Sequence, residues 1–244
     1  MKILGLESSA KSASVALTED GAILARSFQN TGLTHSRTLL PMAEAMLNNC
    51  GLTMDDIDIV AVAAGPGSFT GLRIGVSAAK GLAWAKELPC AGVSTLEAMA
   101  QNLAHLENTV IVCAMDARRN QVYNAHFLAE GGTLRRLCDD RAVALEAVAA
   151  DLKSEQRPKI VVGDGALLCY NYLRQAGIGA SLTPAHLRFQ DAVGVCLCAE
   201  TAAKEQRLVS AAQLQTVYLR LSQAERERLQ KEANAKNKEE EKEH

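Results

Sequence analysis

Residues 3–21 read ILGLESSAKSASVALTEDG, and residues 111–132 read IVCAMDARRNQVYNAHFLAEGG. Each opens with a short apolar run that ends in an acid, Glu7 in the first and Asp116 in the second. A polar turn follows, then a stretch of alternating apolar residues, then a turn built on glycine. Short apolar runs bounded by turn residues read as strands, and alternation reads as a strand with one covered face. A second pair of stretches echoes in the same way. VAVAAGPGS at 60–68 and IVVGDGA at 160–166 are both buried-type runs entering a glycine turn and a helix. Self-similarity at an offset of about 100 residues predicts two copies of one α/β unit. Coincidence among generic α/β elements is the alternative.

Working outward, strands are expected at 2–7, 13–18 and 22–28, with a hairpin turn at Glu19-Asp20-Gly21. Thr34 is placed to cap a helix over about 35–50, which carries Pro41 and stops at Gly51. A strand at 57–64 feeds the loop GPGSFTG at 65–71 and a helix to about Lys86. Ser94 and Glu97 fit a capping box at the next helix start. Strands are expected at 109–116 and 121–127, and KIVVGDGA at 159–166 reads as a strand running into a glycine turn and another helix. Helices are expected at 142–153 and 191–206, and a short strand at TVYLR, 216–220. Strands leading into long helices, repeated twice, suit an α/β fold of the duplicated actin-like kind. The expected division is a first lobe over 1–106, a second over 107–221 and a charged helix or tail over 222–244. From Ala224 to His244 there are 13 charges in 21 residues, which reads as a solvated face.

Composition narrows the function classes. The 244 residues carry 26 Lys plus Arg and 28 Asp plus Glu, a formal charge of −2. That near-neutral balance gives no global field for nucleic acid or anionic membrane, though a local basic patch stays open. Four Phe, four Tyr and one Trp are few for a base-stacking surface. Apolar runs are interrupted before about 18 residues, so no membrane span is expected. Met1-Lys2 leads straight into the first strand, too short a core for a signal peptide. The seven Cys contain no C-x-x-C pair and read as buried free thiols of a cytoplasmic protein.

The glycine loop is the most distinctive motif. Gly65, Gly67 and Gly71 allow close backbone approach, and Ser68, Thr70 and Arg73 could add donors to an anion at the helix start. The spacing is not that of a Walker A loop. A tight strand-to-helix turn without a ligand is the equal alternative. Glu7 and Asp116, facing each other across a cleft, could hold Mg²⁺ through water, with Ser8, Ser9 and Lys11 touching phosphate oxygens. Strand-end solvation is the plainer reading. Gly71, Gly75, Ala79 and Ala83 recur every four residues and line one helix face. That stripe admits a close neighbour, either inside the domain or in a partner, with Trp84 beside it as an anchor. No two His are spaced i, i+3 or i+4, so no helical metal pair exists. No G-x-S-x-G elbow occurs, and no nucleophile–base pair stands out to support a protease.

At this point the residues carry a family likeness. AAGPGSFTGLRIGVSAAKGLA at 63–83 resembles the signature of the TsaB (YeaZ) family. MKILGLESSAKSASVAL at the start, THSRTLLP at 34–41, MDARRNQVY at 115–123 and VYLR at 217–220 resemble further family segments. The likeness is dense over 1–127 and thin from about 128 to 215. Glu7 stands where the family usually has Asp, and Thr216 where it commonly has Pro.

The resemblance implies an actin-like (ASKHA) two-lobed fold and a part in making threonylcarbamoyladenosine beside the anticodon of tRNAs reading ANN codons. It implies a non-catalytic subunit that binds a TsaD-like transferase, with a TsaE-like ATPase joining the pair, and that self-associates through its first lobe. No cofactor of its own is implied; ATP and Mg²⁺ would act at the level of the complex, which would hold tRNA mostly through the partners. The relative's H-x-x-x-H metal pair is missing, since THSRTLLP has His35 alone. The expected interface is the helices at about 35–50 and 71–86, with Leu39, Leu40, Gly71, Gly75, Ala79, Ala83 and Trp84. On that reading Gly75→Leu or Ala79→Leu abolishes partner binding and leaves the fold intact. The rival is a stand-alone actin-fold phosphotransferase or ATPase using Glu7 and Asp116 around Mg²⁺.

Overall fold

The computed structural model describes residues 1–220; the charged segment expected over 222–244 lies outside the described residues. β1 (Lys2–Glu7), β2 (Ala13–Glu19) and β3 (Ala22–Gln29) form an antiparallel meander. After α1 (His35–Asn49), β4 (Ile59–Gly65) pairs parallel to β1. After α2 (Phe69–Trp84), β5 (Cys90–Ser94) pairs parallel to β4. The sheet order is β3-β2-β1-β4-β5. α3 (Thr95–Gln101) leads to the second sheet. There β6 (Thr109–Asp116), β7 (Gln121–Glu130) and β8 (Thr133–Arg136) form the same meander. β9 (Arg141–Ala144) adds to β7, and α4 (Leu145–Leu152) covers the sheet. β10 (Lys159–Val162), α5 (Ala166–Gln175) and β11 (Ser181–Leu182) complete it in the order β11-β10-β6-β7-β8. With β9 set aside, both sheets run 3-2-1-4-5 when counted within each lobe, with the same strand directions. The duplication is therefore real, and the fold is actin-like.

Period-two alternation decides what each face of the first sheet touches. Leu4, Leu6, Val60 and Val62 point to α1 and α2, against Leu39, Met42, Met46 and Val76. Ile3, Ala16, Ile59, Ala61 and Ala63 point the other way, to α6 (Ala192–Lys204). In the second sheet Val110, Val112 and Ala114 meet α4 and α5, while Ile111, Cys113 and Met115 meet α3. So α3 and α6 lie between the two sheets and pack on each other. Gly194 permits this: a Cβ there would drive into the Ala98 carbonyl of α3. Each buried Leu or Ile of these layers stabilises by roughly 1.5–3 kcal/mol before entropy is counted.

Several expectations need correcting. The lobe boundary does not hold at the C-terminal end, because α6 and residues 209–214 belong to the first lobe's cores. The stretch 142–153 is not one helix; its first residues pair with β7 before α4 begins. TVYLR forms no strand. The five residues of β5 form a strand where the sequence predicts none. Thr34 occupies the cap position of α1 without a side-chain cap bond. Ser94 does cap α3 through Glu97 N–H at 3.2 Å. The Glu97 carboxylate goes instead to Arg136, at 2.8 Å. The cysteines are free; Cys50 and Cys138 are half-buried and the other five buried. Burial pushes the Cys169 and Cys196 thiols up to about 12. Among the described residues no helix is long and apolar enough to cross a membrane.

Candidate functional site

The sequence places its candidate residues on the turn after β1, the glycine loop after β4 and the hairpin after β6. The first two are packed on each other. Ser68 N–H donates to the Ser9 carbonyl at 2.6 Å, and Ser8 Oγ donates to the Gly71 carbonyl at 2.9 Å. A Cβ on Gly71 would strike the Ser8 carbonyl, and one on Gly75 would strike Ser8 Oγ. The small-residue stripe therefore packs inside its own lobe. Gly71, Gly75, Ala79 and Ala83 are buried, as is Leu39. This corrects their assignment to a partner surface, since Gly71 and Gly75 admit the turn after β1 and Ala79 and Ala83 join the first lobe's core. Leu40 and Trp84 stay exposed, Trp84 at 66%.

Glu7 is completely buried. Its Oε1 accepts from Ser9 N–H at 2.6 Å, and its Oε2 has no hydrogen-bond partner among the described residues. Burial, foremost, and then the charges of Asp191 and Asp164 push its carboxyl up to about 7. Asp116 is exposed, and its Oδ1 accepts from Arg118 N–H at 2.7 Å in a local turn. The neighbours of Glu7 come from elsewhere in the chain. Asp191 caps α6 through Val193 N–H at 2.9 Å and pairs with Arg26 at 2.6 Å. Gln190 Nε2 donates to Asp164 Oδ1 at 2.9 Å, and Ser12 Oγ donates to the Gln190 carbonyl at 3.4 Å. One segment of chain thus bridges the first-lobe turn and the second-lobe glycine turn. Asp164 was legible as the acid inside the second glycine turn; Gln190 and Asp191 carried no motif.

The helix start after the glycine loop is also engaged. Ser68 Oγ accepts from Gly71 N–H at 3.3 Å, while Ser68 and Thr70 remain exposed. Gly65 has φ +139°, and a Cβ there would collide with the Val217 carbonyl. Val217 N–H donates to the Ala64 carbonyl at 2.7 Å. Tyr218 stacks on Phe69 at 4.6 Å between centroids, and Arg73 lies 3.8 Å over the Phe69 ring with Nε on Tyr218 OH at 3.2 Å. The loop is thus a socket for the chain's own TVYLR segment. Gly67 packs on Ser9, and Lys11 is exposed on the facing turn. Ser8 Oγ and the Ser9 and Ser68 amides are bonded within the protein, and Ser9 Oγ is buried without a partner among the described residues. The Glu7 carboxylate is closed to solvent, while Lys11 and Thr70 are exposed. A sealed Glu7 does not fit a ligand that holds Mg²⁺ through water, and Asp116 lies exposed on its own hairpin turn. Among the described residues no cluster of three metal-type ligands occurs.

The comparisons with known proteins agree with this architecture. The family model for TsaD, tRNA N6-adenosine threonylcarbamoyltransferase, matches residues 27–242. The Bacillus subtilis protein TsaB, of tRNA threonylcarbamoyladenosine biosynthesis, is 35% identical over 163 residues, 67% of this chain and 71% of its own. The chain belongs to the TsaB (YeaZ) family. The Haemophilus influenzae TsaB is 29% identical over 231 residues, 90% of this chain and 94% of its own. The solved YeaZ of Pseudomonas aeruginosa superposes with a TM-score of 0.76 at 28% identity, covering 89% of this chain and 99% of that one. A second Pseudomonas aeruginosa structure, described as similar to the peptidase YeaZ, gives 0.78 at 28% identity, covering 90% and 99%. These TsaB relatives are named for threonylcarbamoyladenosine biosynthesis.

Proposed function

We propose that this chain is a non-catalytic scaffold subunit for N6-threonylcarbamoylation of adenosine next to the anticodon in tRNAs reading ANN codons. It binds and activates a TsaD-like transferase in the cytoplasm, together with a TsaE-like ATPase, and pairs with itself through the first lobe. The observation that carries the reading is the closed first-lobe turn. Glu7 is sealed, the Ser8 hydroxyl and the Ser9 and Ser68 amides are bonded inward, and the glycine loop holds Val217. Family membership supplies the pathway. A turn so filled favours holding a partner over phosphoryl transfer, and it withdraws support from the Glu7–Asp116 phosphotransferase. ATP and Mg²⁺ then act elsewhere in the complex.

The docking surface, on this reading, is the exposed side of the adjacent helices α1 and α2. Leu40 on α1 and Trp84 on α2 are its apolar anchors. Trp84 also borders a groove of about 490 Å³ with Leu88, Pro89 and residues 208–212. The test is nucleoside mass spectrometry of tRNA from cells depleted of the protein. Threonylcarbamoyladenosine should fall and be restored by the wild-type chain. An unchanged level removes the proposal.

A further inference from the structure

We propose that Arg73, Arg118, Arg119 and Arg220 form a surface on which this chain itself holds the phosphate backbone of RNA. The inference rests on the reading above that the complex works on tRNA, and it goes beyond it by giving the scaffold its own RNA contact. The geometry starts at the hairpin between β6 and β7. Arg118, Arg119 and Asn120 have φ of +62°, +55° and +56°, three successive non-glycine residues in left-handed backbone. Side chains other than Gly, Asn or Asp rarely adopt that conformation. It is held by Ala117 N–H on the Gln121 carbonyl at 3.0 Å and by Arg118 N–H on Asp116 Oδ1 at 2.7 Å. The outcome is a tight tip with two adjacent arginines, both exposed.

Arg220 joins them. Its Nη1 donates to the Ala117 carbonyl at 2.6 Å, which sets a third guanidinium against the base of the hairpin. Two residues earlier, within about 7 Å of extended chain, Tyr218 stacks on Phe69 and bonds Arg73. Arg73 lies 3.8 Å over the Phe69 ring with its Nε on Tyr218 OH, so the fourth guanidinium is positioned as well. The TVYLR segment therefore links the exposed end of α2 to the second-lobe hairpin in one row of arginines. Among the described residues none of the four pairs with a carboxylate, whereas Arg26, Arg136, Arg141, Arg157 and Arg207 each do. Asp116 borders the row with its Oδ1 occupied by the Arg118 amide.

Guanidinium forks match phosphate geometry bidentately, and several in a row track a backbone more naturally than they hold one small anion. The Tyr218–Phe69 stack, with Tyr218 38% exposed, offers an aromatic face beside them for an unpaired base. With a formal charge of only −2, the chain's distant charges do not oppose a local basic row.

The test is binding of the full chain to an unmodified tRNA transcript that reads an ANN codon, from about 20 to 200 mM KCl. Each phosphate contact adds roughly 0.7–0.9 to the slope of log affinity against log salt. Arg118→Gly with Arg119→Gly accepts the left-handed backbone without strain, so the hairpin is kept while both charges go. That double variant should bind at least about 10-fold more weakly, with a slope reduced by about 1.5. Arg118→Lys with Arg119→Lys should keep the slope. Arg135→Ala with Arg174→Ala, which removes two exposed arginines elsewhere, should change nothing. No tRNA binding by the wild type at the lowest salt overturns the proposal, as does unaltered binding by the glycine variant. Displacement of the tRNA by polyglutamate at equal charge overturns the choice of RNA over an acidic peptide. If depletion lowers threonylcarbamoyladenosine while the glycine variant binds tRNA normally, the scaffold stands and this surface falls. If depletion leaves the modification unchanged, the scaffold falls, and loss of binding in the variant still supports the surface.

Discussion

The carbonyl of Val217 occupies the space in which any side chain on Gly65 would have to stand. Two segments some 150 residues apart are thereby matched backbone to backbone, with the Val217 N–H on the Ala64 carbonyl closing the contact. The glycine is required twice over, by its φ of +139° and by that neighbour.

Gly65→Ala should accordingly cost more than backbone strain alone. Gly51 provides the comparison, with φ +67° and nothing within 4 Å of a Cβ. Gly51→Ala should destabilise by about 1 kcal/mol. Gly65→Ala should exceed that by about 1–3 kcal/mol because the TVYLR segment must move. Urea unfolding of the two variants decides it, and equal losses would mean that Val217 does not confine the loop.

Gly75→Leu should unfold the first lobe rather than remove a partner selectively, because its new side chain meets Ser8 and Val62. Overpacking of this kind costs about 1–3 kcal/mol or more. Trp84→Ala removes an exposed side chain and should leave stability within about 0.5 kcal/mol. It should nonetheless weaken capture of the TsaD-like subunit in a pull-down. A Gly75→Leu protein with wild-type melting would refute the packing described for the stripe.

Glu7 and His126 should give opposed pH slopes. Burial pushes Glu7 from 4.5 up to about 7, so the folded state binds the extra proton and stability falls as pH rises across that window. Burial, then the Arg141 charge, pushes His126 from 6.5 down to about 4, so stability falls as pH drops across that range. One proton each way nearly cancels between pH 4.5 and 6.5. Glu7→Gln should uncover the histidine, giving a loss of about 1.4 kcal/mol per pH unit on acidification, and should be more stable than wild type at pH 8 by about 3 kcal/mol. Denaturant midpoints for both proteins from pH 4 to 8 measure it. Parallel curves would place Glu7 in contact with water.

Arg220→Ala should free the end of the TVYLR segment, at a cost of about 1–2 kcal/mol for a half-buried charged hydrogen bond. Cleavage by a nonspecific protease between 214 and 220 should quicken. Tyr218→Phe, which keeps the stack and loses the bond to Arg73, should be close to wild type. Equal protection of Arg220→Ala and wild type would show that the Ala117 contact does not hold the segment.

The repeat was legible because each strand's partners are close in the chain and each turn carries glycine or an acid. Glu7 ending β1 and Asp116 ending β6 mark the same place in both sheets. What stayed hidden depended on distant partners. A four-residue period puts Gly71, Gly75, Ala79 and Ala83 on one helix face, but it does not say whether that face looks inward. RAVALEAVAADL is rich in helix formers, and only pairing with β7 makes its first four residues a strand. TVYLR has the β-branched and aromatic residues of a strand, yet it docks through one backbone bond at Val217, an aromatic stack and side-chain bonds at Tyr218 and Arg220. Glu7 reads in the sequence as a strand-end acid facing a cleft, and its complete burial beside the charges of Asp164 and Asp191 depends on chain far from it.

Because α6 supplies one wall of the first lobe, with Cys196 Sγ within 3.6 Å of the Ile3 carbonyl, β1 waits on the ribosome for its covering layer. About 190 residues separate the first strand from the helix that seals it. During synthesis the second sheet can close while the first still shows an open apolar side, so the lobe made first is the lobe finished last. A nascent chain stalled before residue 192 would present that bare side to chaperones, and a stop codon late in the gene would harm the beginning of the protein more than its middle.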